Sequence, residues 1–143
     1  MKSVKIRDTI IGNGAKIAIQ SMLNVPTTDT GAAIDCILRL ADEGCDIIRL
    51  AVPDAAAARA MKEITAASPI PVVADIHFDY RLALACIDNG VDKIRINPGN
   101  LGGADKAAAV AKAANAAKVP IRIGINGGSL EKGLLERCGG DLA

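Results

Sequence analysis

The sequence has 143 residues, the length of one ordinary domain, and 50% of them are hydrophobic, which is enough to form a core. The net charge of +1 and the aromatic content of 1% give no basis for a surface that binds nucleic acid or a membrane. No apolar run approaches the length of a membrane span, and residues 1–5 lack the apolar core of a signal peptide, so we expect a cytoplasmic protein.

The chain is predicted to begin with a β-hairpin and to continue as alternating strands and helices. The hairpin pairs residues 4–7 with residues 16–22 around Asn13-Gly14, a strong turn signal. The predicted strands of the repeating units cover residues 16–22, 46–52, 71–76, 92–96 and 119–125. The predicted helices cover residues 31–43, 55–67, 79–89, 104–118 and 129–137. Alternation of this kind predicts a parallel sheet with right-handed crossovers.

Polar side chains recur on one face of these strands, near the carboxyl ends. They are Arg49, Asp75, His77, Lys93, Arg95, Asn97, Arg122 and Asn126. An open sheet covered by helices on both faces would bury these charges, which is costly without partners. A barrel gives them an interior that opens at the carboxyl ends of the strands. We therefore predict an α/β fold, a TIM-type (β/α) barrel that is incomplete here, with about five of its eight strand–helix units.

Converging cations predict a small polyanionic ligand. Arg49, Arg95 and Arg122 would direct guanidinium groups, which match phosphate oxygens in pairs, into one cavity. Lys93 or Lys132 would add to this charge. The Gly127-Gly128-Ser129 segment at a predicted helix start would supply backbone donors and a hydroxyl to an anion, or Ser129 would serve as a plain N-cap.

Asp75 and His77 share one strand face and allow two interpretations. They would serve as two ligands of a divalent metal ion, but two ligands are few for a metal site, and we predict no bound metal. We favour Asp75 as the group that orients an arginine, with His77 donating a hydrogen bond or a proton to a substrate. Each arginine has the alternative of an ion pair with Asp75 or another carboxylate. The cysteines form no C-x-x-C pair and are interpreted as buried reduced thiols: Cys36, Cys45, Cys86 and Cys138.

Several long strings of residues resemble one known family, the 4-hydroxy-3-methylbut-2-en-1-yl diphosphate synthases, or IspG/GcpE family. The strings are Q-S-M at 20–22, G-C-D-I-I-R-L-A-V-P-D at 44–54, V-A-D-I-H-F-D-Y-R-L-A-L at 73–84, D-K-I-R-I-N-P-G-N at 92–100 and I-R-I-G-I-N-G-G-S-L-E-K at 121–132. They stand in the family's order and span nearly the whole chain. We therefore interpret residues 1–143 as the N-terminal part of that family's substrate-binding barrel domain.

The resemblance implies a step of isoprenoid biosynthesis by the methylerythritol phosphate pathway. The substrate is 2-C-methyl-D-erythritol 2,4-cyclodiphosphate, which is reductively opened and dehydrated to 4-hydroxy-3-methylbut-2-enyl diphosphate with two electrons from flavodoxin or ferredoxin. By motif position, Asp75 and His77 lie at the same mouth of the barrel, and they are the expected catalytic residues. The expected substrate-binding residues are Arg49, Arg95, Asn97, Arg122, Asn126, Ser129 and Lys132.

The family protein is much longer than this chain, and the resemblance implies that essential parts lie elsewhere. It implies a homodimer in which a C-terminal domain, holding a [4Fe–4S] cluster by three cysteines and a glutamate, closes over the partner's barrel. That domain is absent from the sequence, and the cysteines present do not match its ligands, so we expect no cofactor bound by this chain and no turnover by it alone. An open barrel piece is expected to leave edge strands and an apolar floor uncovered, and so to associate, swap strands or be marginally stable.

Two other functions stay open from the residues alone. One is a different phosphate-binding barrel enzyme, acting on a pterin or a sugar phosphate, for which Lys93 is the candidate Schiff-base lysine. The other is a truncated, non-catalytic phosphate-binding module whose arginines retain affinity for the ligand.

Overall fold

A computed structural model describes residues 2–125 of the chain. The strands are β1 (Ser3–Ile6), β2 (Thr9–Gly12), β3 (Gln20–Met22), β4 (Ile47–Ala51), β5 (Val72–Ile76), β6 (Lys93–Ile96) and β7 (Ile121–Ile123). The helices are α1 (Thr30–Asp42), α2 (Ala55–Ala67), α3 (Tyr80–Asp88) and α4 (Ala104–Ala117), with a 3₁₀ turn at Pro98–Asn100. The helix predicted over residues 129–137 lies outside the described residues. None of the described helices combines the length and the hydropathy needed to cross a membrane.

The main sheet is parallel, and its strands follow one another in chain order from β3 to β7. All four helices of the described residues contribute to one apolar cluster with a single face of this sheet. A doubly wound sheet would reverse its strand order and carry helices on both faces, whereas a barrel wall does neither. The described chain is therefore part of a TIM-type (β/α) barrel, and the predicted fold class is confirmed.

The core lies between the helices and the outer face of the sheet. Alternate strand residues supply the sheet side, and small or branched residues at helical spacing supply the other side. The largest fully buried members from the strands are Ile48, Leu50, Val72, Ile76 and Ile94, and those from the helices are Ile37, Met61 and Ile64. Asp54 caps α2 by accepting a hydrogen bond of 2.8 Å from the N–H of Ala57.

The N-terminal hairpin exists, but its turn is not where the sequence predicted it. Strand β1 pairs with β2, so the chain reverses at Arg7-Asp8, and Asn13-Gly14 forms the next turn, which leads toward β3. Strand β3 belongs to the main sheet instead of the hairpin. The prediction of a turn at Asn13-Gly14 was right, but its assignment to the hairpin was wrong because the two turns lie within one short segment.

The hairpin covers the base of the inner sheet face. Ile6 is fully buried against Ile47 and Val73, which lie on the inner face near the amino ends of their strands. The expectation of an uncovered apolar floor is therefore wrong for this part of the sheet. The inner face is closed below by apolar contacts and carries its polar groups above them.

Candidate functional site

Strand register brings the predicted polar residues onto neighbouring strands of the inner face. Asp75 is paired in register with Arg95, and Arg95 with Arg122, so three charged residues form one row across β5, β6 and β7. The row beneath it contains Arg49 and Lys93, one on each side of Val73. Since side chains at one level of a parallel sheet point the same way, the period-two pattern of the sequence places these groups together.

Asp75 is the centre of this arrangement. It is the next-to-last residue of strand β5 with only 2% of its surface exposed, and its Oδ1 accepts a hydrogen bond of 3.1 Å from Nη1 of Arg95. Its Oδ2 lies 3.5 Å from Nε of Arg49 and 3.6 Å from Nε2 of His77. A buried carboxylate is stable only when it is paired, and Asp75 has two guanidinium groups within ion-pair distance. The alternative considered for the arginines, an ion pair with Asp75, is thus realised for two of them.

Arg49 is incompletely satisfied by the protein around it. Its Nη2 donates to the sulfur of Met22 at 3.0 Å, and thioether sulfur is a weak acceptor. Its Nε is buried, and no described residue hydrogen-bonds to it, because the 3.5 Å contact with Asp75 is an ion pair without hydrogen-bond geometry. Arg49 therefore retains donor capacity for an anion on the inner face.

Lys93 and Arg122 add positive charge that no carboxylate of the described residues neutralises by an ion pair. Lys93 is buried at the start of β6, and its burial lowers the pKa of its ammonium group, with a further contribution from the charge of Arg122. Arg122 is exposed on β7. The described part of the inner face thus carries Arg49, Arg95, Arg122 and Lys93 around one acidic partner, Asp75, and such a surplus favours an anionic ligand.

His77 and Asn97 lie just beyond the strands that precede them. The His77 side chain is 46% exposed, and its 3.6 Å separation from Asp75 is too long for a hydrogen bond, so its ring is free to face a ligand. Its neighbour Phe78 is largely exposed beside it. Asn97 is buried, and its side-chain oxygen accepts from the N–H of Gly99 to cap the 3₁₀ turn, so it also has a local structural role.

Asn126, Ser129 and Lys132 lie outside the described residues, so their predicted roles stay predictions. Within residues 2–125, no three His, Cys, Asp or Glu side chains gather as a metal site would require. Cys45 and Cys86 are buried, and burial raises the pKa of the Cys86 thiol to about 12, while Cys36 is only partly buried. Cys138 is not described.

Two residues near the site were missed by the sequence analysis. Met22 supplies the sulfur that accepts from Arg49, and Gly124 lies against the guanidinium group of Arg95. Met22 is paired in register with Arg49, but the period-two pattern gives no reason to expect a thioether acceptor. Nothing local marks Gly124, because the space that it leaves open is filled by a side chain from the adjacent strand.

The fold and the site define a TIM-type barrel wall with a cationic inner face. A family model described as the GcpE TIM-barrel domain matches residues 1–143. The chain belongs to the GcpE family.

Relatives of known name are similar along almost the whole chain. A 4-hydroxy-3-methylbut-2-en-1-yl diphosphate synthase (flavodoxin) of Ruminiclostridium cellulolyticum is 52% identical over 142 residues, which are 99% of this chain and 40% of the relative. The protein of the same name from Maridesulfovibrio salexigens is 54% identical over 138 residues, 94% of this chain and 38% of the relative. The chain thus spans about two fifths of the length of the curated relatives that it matches.

Solved structures of other enzymes share the fold. Dihydropteroate synthase from Stenotrophomonas maltophilia superposes with a TM-score of 0.62 at 20% identity, over 85% of this chain and 46% of that one. The 7,8-dihydropteroate synthase of Vibrio fischeri gives 0.61 at 14% identity, over 85% of this chain and 49% of that one. At these identities the likeness concerns the fold alone, and it does not favour the pterin-enzyme alternative.

Proposed function

We propose that this chain is the diphosphate-binding barrel part of a 4-hydroxy-3-methylbut-2-en-1-yl diphosphate synthase. The observation that carries the proposal is the surplus of cations around Asp75 on the inner face, where Arg95 and Arg49 are already oriented by one carboxylate. The names of relatives at 52% and 54% identity support the same activity. Residues 1–143 would be the N-terminal part of the barrel domain of a cytoplasmic enzyme.

The proposed substrate is 2-C-methyl-D-erythritol 2,4-cyclodiphosphate. Its two phosphoryl groups carry several acceptor oxygens, which match the paired donors of Arg95 and Arg49. Arg122 would contact the same diphosphate from β7, and the diphosphate would serve as a counter-ion for the buried ammonium group of Lys93. Asn97, together with the predicted residues Asn126, Ser129 and Lys132, would complete the binding site.

Asp75 and His77 would serve the reaction in different ways. Asp75 holds the guanidinium groups in place before the substrate arrives, so their ordering is not a cost of binding. His77 stands half exposed at the carboxyl end of β5 and is positioned to donate a hydrogen bond or a proton to an oxygen of the substrate. Opening the ring and losing water both require that an oxygen leave carbon, and a proton donor assists each departure.

The two electrons of this reaction must come from a group that the described residues do not hold. We propose a [4Fe–4S] cluster, bound by a further domain of a longer protein and reduced by flavodoxin, the donor printed in the relatives' name, or by ferredoxin. A homodimer that brings this domain to the barrel belongs to the same proposal. The 143-residue chain alone should therefore show no turnover with reduced flavodoxin.

The test is inorganic pyrophosphate binding to the intact protein, measured by calorimetry for wild type and Arg95→Ala. The loss of a charge-assisted hydrogen bond of roughly 1.5–3 kcal/mol predicts an affinity about 10- to 100-fold weaker. Arg59→Ala is the matched control, because Arg59 is an exposed arginine on α2 and its removal changes the net charge equally. Equal affinity of wild type and folded Arg95→Ala would contradict the proposed site. Pyrophosphate binding without conversion of the cyclic diphosphate by the intact, reduced protein would favour the non-catalytic binding module.

A further inference from the structure

Gly124 lies directly after β7 and continues its ladder, because its N–H donates to the carbonyl of Ile96 at 2.9 Å. Its φ is not positive, unlike that of Gly12 at 93°. An L-residue would therefore adopt the Gly124 backbone conformation without strain. The backbone alone does not explain a glycine at this position.

The space around Gly124 does explain it. A Cβ atom added there would lie 2.5 Å from Nε, 2.7 Å from Nη2 and 3.0 Å from Cζ of Arg95. Such separations lie far inside the roughly 3.5–4.0 Å at which heavy atoms attract one another. The guanidinium group of Arg95 therefore occupies the volume that any other residue at 124 would need.

Arg95 has little freedom to yield. Its Nη1 donates to Oδ1 of Asp75 at 3.1 Å, and only 14% of its side chain is exposed. A methyl group at 124 would push the guanidinium group off this carboxylate, and the three atoms nearest to it would all belong to the Arg95 head group. At Gly12, by contrast, the added atom would meet the backbone oxygen of Lys2 at 2.7 Å. Substitution at 124 should thus disturb the site and leave the fold intact.

We propose that Gly124 is a positioning residue, which keeps open the space in which Arg95 pairs with Asp75 and presents its donors to the anion. The effect on ligand binding rests on the proposed function, whereas the effect on the arginine does not. The prediction is that Gly124→Ala displaces the Arg95 head group and weakens pyrophosphate binding about tenfold, the loss of one charge-assisted contact.

The experiment combines two readouts on the intact protein. The first is the side-chain Nε–H signal of Arg95 in a nitrogen-15 NMR spectrum, assigned by its disappearance in Arg95→Lys. The second is pyrophosphate affinity in a double-mutant cycle of Gly124→Ala and Arg95→Ala. Gly31→Ala is the control, because its φ is not positive and its added Cβ would meet only Oδ1 of Asp29, at 3.9 Å. It should change neither readout.

The expected result is a shifted Arg95 signal in Gly124→Ala, weaker pyrophosphate binding, and no further weakening when Gly124→Ala is added to Arg95→Ala. An unmoved signal, an additive loss in the double variant, or undiminished binding in Gly124→Ala while Arg95→Ala binds weakly would overturn the inference. A variant that fails to fold would overturn it too, because the three atoms nearest to the added Cβ all belong to the end of one side chain. A shifted signal with undiminished binding in Arg95→Ala would instead refute the anion site and support the positioning role.

Discussion

At the scale of single residues, Lys93 is a cation of the site whose charged form is destabilised by its surroundings. Burial on β6 lowers the pKa of its ammonium group below the ordinary value of 10.5, and the charge of Arg122 lowers it further. The unfolded chain therefore binds this proton more tightly than the folded protein does. Between the lowered pKa and 10.5, the contribution of Lys93 makes stability rise with pH, and below that window its charged form is a full cost to folding.

The substitution Lys93→Met removes that cost while keeping a similar apolar volume. We expect a larger free energy of unfolding than wild type at pH 7, and a difference that shrinks as the pH approaches 10.5. Urea unfolding at pH 7 and pH 10 without phosphate or pyrophosphate checks this, because a bound anion would favour the charged lysine.

The matched variant is Lys62→Met, which removes an exposed ammonium group from α2. Its effect on the free energy of unfolding should be small and should not follow the same trend with pH. If Lys93→Met changes stability by the same amount at both pH values, the burial of its charge does not limit stability.

At the scale of elements, Arg7 connects the hairpin to the base of the barrel wall by hydrogen bonds and an ion pair. Nε and Nη2 of Arg7 donate to the two carboxylate oxygens of Asp92 at 3.0 and 2.8 Å. Its Nη1 donates to the carbonyl of Ser68 at 2.7 Å, and its Nη2 also reaches that of Thr65. Asp92 in turn accepts from the N–H of Val72, so the hairpin, α2, β5 and β6 meet at one guanidinium group.

Replacing Arg7 with alanine should therefore lower the free energy of unfolding by about 2–4 kcal/mol, because the largely buried carboxylate of Asp92 loses its ion-pair partner and the carbonyls of Ser68 and Thr65 lose a donor. Chemical denaturation measures this directly. Lys16→Ala is the comparison, since Lys16 also joins the N-terminal segment to an aspartate, Asp46, but at 3.4 Å and with 79% of its side chain exposed. An exposed pair contributes about 1 kcal/mol or less. Equal decreases in the free energy of unfolding of the two variants would show that the contacts of Arg7 do not stabilise the hairpin more than an exposed ion pair does.

The strand pattern predicted the barrel wall and its charged face because it is a local property of each strand. Once Asp75 and Arg95 were assigned to parallel strands, alternation placed them on the same side, and the register then made them neighbours. The hairpin turn was misassigned because Asn13-Gly14 is the stronger turn signal, whereas Arg7-Asp8, where the chain reverses, contains no glycine or asparagine. The contact of Arg7 with Asp92, 85 residues away, could not be predicted from the sequence either. The role of Gly124 was equally hidden, because it depends on how a side chain of the neighbouring strand leans. Apart from β2, which the sequence analysis did not predict, it was the contacts between elements that could not be predicted from the sequence.

At the scale of the whole molecule, the described sheet has two open edges. Strands β3 and β7 each have one neighbour among the described residues. Large apolar side chains stand near both edges: Ile17 is 87% exposed ahead of β3, and Ile123 is 62% exposed on β7. Unpaired strand edges flanked by apolar surface are templates for pairing with another chain. In a complete barrel of eight strands, further strands and helices would cover them.

The 143-residue chain expressed by itself should therefore associate or unfold at low denaturant concentration. Sedimentation velocity over a range of concentrations is expected to show dimers or larger species instead of one monomer. Ile123→Lys should shift this distribution toward monomer, because a charge on an edge strand opposes pairing, whereas Leu38→Lys, at an exposed position on α1, should not. A single concentration-independent monomer with a cooperative and high unfolding transition would show that the barrel wall is complete enough to stand alone.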